Sequence, residues 1–127
     1  MASSTFQRDR DLTRIMTAAS YVSFNNGDPG RTGTGGTDVT TAIRAAGRVL
    51  IAANAWAAIS NDGTKRRTSN SGALSFGNAV NTQVVTHAIL WDAASGGNCL
   101  HIFDSAYTST AGAPVTIAIG ALVLEAP

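Results

Sequence analysis

The stretch Val85-Thr86-His87-Ala88-Ile89-Leu90-Trp91-Asp92-Ala93-Ala94-Ser95-Gly96-Gly97-Asn98-Cys99-Leu100 decides the fold. Val84, Val85, Ile89, Leu90 and Trp91 make Gln83 to Asp92 a strand with both faces largely covered. Ala93 to Asn98 then turns the chain, with Gly96-Gly97-Asn98 supplying residues that tolerate positive φ. Cys99-Leu100-His101-Ile102-Phe103 returns, and the two runs form an antiparallel hairpin.

Working outward, Ser105 to Ala113 reads as a small-residue loop closed by Pro114. Val115, Ile117 and Ile119 alternate with Thr116 and Ala118, and Gly120 is expected to shift the phase as a bulge before Leu122 and Leu124. Upstream, Leu74 and Phe76 alternate with Ser75 and Gly77, as a half-buried strand does, and Asn61-Asp62-Gly63 signals a turn. Arg48 to Ile59 reads as a strand interrupted near Asn54, while Val39 to Ala46 is ambiguous between strand and helix. Asn25 to Gly36 is loop, and Tyr21 to Phe24 a short strand before it. Six or seven short strands spaced by turns predict a mainly β chain, an antiparallel β-sandwich or jelly-roll-like domain.

A short α-helix precedes the strands. Ser4-Thr5-Phe6-Gln7 has the form of a capping box, and Leu12, Ile15, Met16 and Ala19 form one apolar stripe over residues 5–19. So short a helix needs something to dock on: its own sandwich, a neighbouring subunit, or another protein. The expected organisation is one domain over 1–127, with 1–20 as helix or arm and 21–127 as sandwich.

Composition narrows the function. Of 127 residues, 22 are Ala, only 6% are aromatic and 13% charged, about half the usual charged share. Small side chains and low charge suit a sheet protein that presents its surface to other protein. A net charge of +1 argues against a strongly basic nucleic-acid binder. Val115 to Leu124 is too short an apolar run to span a membrane. No signal peptide is expected, since Met1-Ala2-Ser3-Ser4-Thr5 leads into the charged run Arg8-Asp9-Arg10-Asp11. One cysteine excludes an internal disulfide and a cysteine-based zinc site.

No catalytic or cofactor-binding motif is present in the sequence. The glycine-rich run Asp28 to Gly36 lacks the Gly-Lys-Ser/Thr ending of a phosphate loop. His87 and His101 could approach Cys99 and Asp92 across the hairpin, but strand alternation explains them without a metal. Trp91 is expected to be buried and structural, and Cys99 to be a small core or interface residue and not a reactive thiol, with a disulfide between subunits as the alternative. The candidate partner-interface residues are Arg8, Arg10, Leu12, Arg14, Ile15 and Met16 on the helix, together with Lys65, Arg66 and Arg67, the only basic run, expected at a solvated tip.

Three motifs together resemble a known family. They are Asp28-Pro29-Gly30-x-x-Gly33, Arg67-Thr68-Ser69-Asn70-Ser71-x-Ala73-Leu74-x-Phe76, and Val85-Thr86-His87-x-x-Leu90-Trp91-Asp92-Ala93-Ala94-Ser95-Gly96-Gly97-Asn98-x-Leu100. In this order they are similar to a family of small tailed-bacteriophage virion proteins, whose members are labelled head decoration, minor tail or tail-fibre proteins. The resemblance covers about Tyr21 to Leu124, and it implies a virion component and no enzyme. The first expectation is a capsid decoration (cement) protein, a homotrimer seated on the major capsid protein at the capsid surface. The alternative is a tail, baseplate or fibre component, or a host-glycan-binding module, which would need an exposed aromatic platform at Trp56 or Trp91. No cofactor, nucleic acid or membrane enters any of these expectations.

Overall fold

A computed structural model describes residues 5–62 and 65–126. The quoted hairpin forms the middle of its largest sheet. Strand β1 (Ser20–Asn26) pairs antiparallel with β7 (Val84–Trp91), which pairs antiparallel with β8 (Cys99–Thr108). The other edge of β1 is shared by β2 (Thr37–Asp38) and β3 (Val49–Ile51). Register aligns Val22 with Leu90 and His101, and Phe24 with Ala88 and Phe103.

A second layer is divided in two. One part is β4 (Ser60–Asp62), β5 (Lys65–Ser69) and β10 (Val123–Ala126), with β5 in the middle; the other is β6 (Leu74–Asn78) paired with β9 (Pro114–Ile117). Val22, Phe24, Leu90 and Phe103 meet Phe76, Val115 and Leu124 across the core. The Phe24 and Phe76 rings stack with centroids 4.3 Å apart. The chain is therefore mainly β, antiparallel and sandwich-like, with one short helix at its N-terminal end, as the spacing of strands and turns predicts.

Several boundaries differ from the sequence reading. Helix α1 (Thr5–Met16) ends three residues early: Ala18 N–H reaches back only to Ile15 O, and Ala19 is exposed rather than part of the stripe. Ser4 of the expected capping box lies outside the described residues, and Gln7 Nε2 donates to Asp11 Oδ1 at 3.0 Å. The ambiguous Val39–Ala46 holds a single turn, α2 (Thr40–Ile43), which buries Ile43. In 48–59 only three residues are strand, because Asn54 takes a left-handed φ of 63° and donates its N–H to Met16 O. Of the expected Asn61-Asp62-Gly63 turn, Asn61 and Asp62 end β4, and Gly63 lies outside the described residues.

Strand β8 continues to Thr108, through half of the expected small-residue loop. The Val84–Thr108 and Val85–Tyr107 pairs satisfy that backbone, so this segment is an edge strand and not a loop. Gly120, expected as a bulge, has φ 80° in a turn that sends the chain from one small sheet to the other.

The core-distal face of the main sheet is covered too. Trp91 is buried as expected, yet its neighbours are not the main core. Its Nε1 donates to Ser23 Oγ at 2.8 Å, and the Arg48 guanidinium lies 4.2 Å from the ring centroid. Gly33 closes over the indole: a Cβ there would stand 3.0 Å from Trp91 Cη2 and 3.1 Å from Cys99 Cβ, and its φ is +77°. Trp91→Ala is expected to cost about 3–5 kcal/mol, measured by urea unfolding. Gly33→Ala should cost more than about 1 kcal/mol, and more than Gly47→Ala, which meets the same φ strain but no neighbour within 4 Å. Equal effects at the two glycines would refute the close packing over Trp91.

Burial holds the His101 imidazole, 4.6 Å from the Phe103 ring, below the ordinary histidine range, with Glu125 opposing the effect. A depressed folded value means that the unfolded chain takes up the proton first, so stability is lost as pH falls from about 6.5 towards the folded value. Denaturant midpoints measured across that window should fall with pH in the native chain. They should fall less in His101→Phe.

Candidate functional site

The two groups of candidate interface residues, about fifty positions apart in sequence, come together in space. Helix α1 lies against β5 and β10. Asp9 on the helix accepts from Arg66 Nε at 2.8 Å and from Arg66 Nη2 at 3.3 Å, a two-pronged ion pair on the central strand of its sheet. That bond raises the Arg66 pKa further. Lys65 Nζ lies 3.7 Å from Glu125 of β10. The basic run is thus a strand, half-buried at Arg66 and Arg67, and not a solvated tip.

The helix candidates divide by their surroundings. Leu12 is 2% exposed and belongs to the chain's own core, with Ile15 and Met16 half-buried against it. Of the docking options open to the stripe, the chain's own sandwich takes it. Arg10 and Arg14 face solvent, and the Arg8 side chain lies outside the described residues.

Beside the helix, Asp11, Arg14, Ile15, Ala18, Ala19, Ser20, Asp92 and Leu100 line a cleft of about 390 Å³. The Asp92 carboxylate accepts from Asn98 N–H at 2.7 Å and from Asn98 Nδ2 at 2.9 Å, which holds it below the ordinary carboxylate range. Asp92 was legible as the end of a strand and as a possible neighbour of the two histidines, and Ser20 carried no sequence signal; both become cleft residues through tertiary contact. A smaller cleft of about 190 Å³ lies between β8 and β9, floored by Phe24, Phe103 and Leu122 and edged by Tyr107.

The remaining candidates resolve as structural. His87 hydrogen-bonds Thr86 Oγ1 through Nδ1 at 2.8 Å and stands 3.5 Å from Asp104, whereas His101 pairs with Leu90 on the opposite face. Among the described residues no group of three or more His, Cys, Asp or Glu is placed to hold a metal ion. Burial raises the Cys99 thiol pKa, as befits a packed side chain under Gly33. Trp56 and Trp91 are both buried, so neither offers the flat exposed ring of an aromatic sugar platform.

This division predicts opposite outcomes for two helix neighbours. Leu12→Ala should cost about 2–5 kcal/mol, because it opens a cavity in the core. Arg14→Ala should stay within about 0.5 kcal/mol, as solvent-facing substitutions do. Comparable melting temperatures for the two variants would show that the helix is not part of the folded unit.

No curated protein matches the chain. A family model described as Podophage GP4 fiber I protein gp80 matches residues 8–125, nearly the whole length, and takes in most of the helix and part or all of every strand. The chain belongs to this podophage fibre protein family and is a structural component of the phage virion.

Proposed function

We propose that the chain is a subunit of the tail fibre and not of the head shell, and that it works as a homo-oligomer, with a trimer as the expected state. The family description carries this reading, because it names a fibre. The cement-protein expectation rested on small side chains, low charge and a virion resemblance, features that head and tail proteins share. With the fibre description added, the tail alternative has the better support.

Self-association has its own support in the surface. Leu50, Val80, Val84, Tyr107 and Ile119 are large apolar side chains left 39–67% exposed by the single chain. Contact with further copies, or with adjoining tail proteins, would cover them. The low density of surface charge removes the repulsion that would oppose such contact.

Gold-labelled antibodies raised against the purified chain are expected to decorate the tails of intact particles. Labelling of the head shell, with a copy number tracking the major capsid protein, would overturn the tail assignment. Light scattering on the purified chain is expected to give a trimer mass, and a monomer at micromolar concentration would overturn the oligomer.

A further inference from the structure

Asn26-Gly27 is the one Asn-Gly step in the chain, and it sits where β1 leaves the main sheet. Glycine has no side chain to shield its nitrogen, so an asparagine before it is the most reactive towards its own backbone. Asn26 is exposed, as the reaction requires of its side chain. The nitrogen that would react is not free. The β1–β7 ladder ends at the Asn25–His87 pair, and beyond it Thr86 Oγ1 accepts from Gly27 N–H at 2.8 Å. Thr86 is itself held, with Oγ1 2.8 Å from His87 Nδ1. On the other edge Asn26 pairs with Thr37, which keeps its backbone extended. The glycine-rich segment stands close behind: a Cβ on Gly36 would lie 2.8 Å from Asn26 O and 3.0 Å from the Gly27 carbonyl carbon.

We propose that Asn26 is a deamidation site that the fold keeps latent, with the Thr86 hydroxyl as its latch. In the reaction the Gly27 nitrogen gives up its proton and bonds to Asn26 Cγ. The Cγ–Nδ2 bond breaks, and Nδ2 leaves as ammonia with that proton. Water then opens the five-membered imide, giving aspartate or, where the main-chain carbonyl is attacked, isoaspartate. An extended residue holds the next nitrogen away from its own Cγ, so the backbone must turn about ψ of Asn26 before the ring can close. That turn breaks the Gly27–Thr86 bond, and the close approach of Gly36 leaves little room for it. Isoaspartate would lengthen the main chain by one carbon where Gly36 packs, and so loosen the segment whose Gly33 covers Trp91. The latch therefore protects the cover of the main sheet. The proposal concerns the folded chain itself and does not depend on where in the virion it sits.

The test is incubation of the full-length chain at neutral pH, warm but below its melting temperature, with aspartate and isoaspartate at each asparagine read by peptide mass spectrometry. Asn26 should react slowly in the native chain and about tenfold or more faster in the same chain unfolded in urea. Thr86→Val keeps the shape and removes the acceptor, and should speed Asn26 about tenfold while the chain stays folded. Thr86→Ser keeps the hydroxyl and should react as the native chain does. The other asparagines should keep their native rates in both variants, which a general loosening of the fold would not allow. Hydrogen exchange on the native chain decides the case in which Thr86→Val does not fold. The Gly27 amide should be protected, and in sub-denaturing urea the Asn26 rate should rise in step with its exchange. The proposal is overturned if Asn26 reacts as fast in the native chain as in urea, if folded Thr86→Val reacts at the native rate, or if the Gly27 amide exchanges as freely as an exposed one.

Discussion

Four consecutive residues of β1, Val22 to Asn25, are buried, and that sets the plan of the molecule. A strand covered on both faces needs a layer on each side. Val22 and Phe24 face the sandwich core, whereas Ser23 and Asn25 face the other way. The cover on that second side is not a sheet but the glycine-rich segment 27–36. A loop brings bare backbone carbonyls, so the strand meets it with donors and not with hydrocarbon. Asn25 Nδ2 donates to Gly27 O and Gly35 O, both at 3.0 Å, and Ser23 receives the Trp91 N–H. Glycine is required where the loop comes closest, because a side chain at Gly33 would enter the space that Trp91 and Cys99 occupy.

The divided second layer depends on a similar device. Asn70 is 1% exposed, and its amide nitrogen donates to Gly72 O and Ala118 O while its Oδ1 accepts from Leu122 N–H. One side chain thus fixes the start of the segment leading to β6 against the turn between β9 and β10. Thr40, Thr68 and Ser109 are buried and bonded in the same manner, to Phe24, Ala57 and Asn81 respectively. Buried polar groups cost stability unless they are paired, and here they also specify which loop lies where. This is how an alanine-rich chain with few aromatics fixes one arrangement of short strands.

The same physics explains what the sequence could reveal. The central hairpin was legible because its apolar run and its Ser-Gly-Gly-Asn turn are strong local signals. Residues 105–108 were not, because Ser105 and Ala106 suit a loop as well as a strand, and the strand formers Tyr107 and Thr108 run straight into the small residues 109–113. At 39–46 the Thr40-Thr41 pair favours strand and the alanines favour helix, and the outcome is a single helical turn that buries Ile43. Gly120 marked a change of direction correctly, but whether a glycine makes a bulge or a turn depends on the partner strand, which lies elsewhere in the chain. For the candidate site, each basic group was visible on its own. The Asp9–Arg66 bond spans 57 positions and exists only after folding, so nothing local could separate the arginine held internally from those left outward.

That bond also determines how the N-terminal segment is attached. Helix α1 is held at three points along its length: Asp9 to Arg66, Leu12 in the core, and the Met16 carbonyl to Asn54 N–H. The three differ in kind, and they lead to different parts of the fold. Arg66 belongs to β5, which is hydrogen-bonded to β4 on one side and β10 on the other, so a force on the helix passes to a strand braced on both edges. A single apolar contact would let a short helix peel away. A polar contact by itself would weaken with salt, since Asp9 and Arg66 are partly open to water, with side chains 35% and 22% exposed. Joined through one short helix, the three contacts support one another, so loss of the ion pair alone leaves Leu12 in the core and the Met16 carbonyl on Asn54.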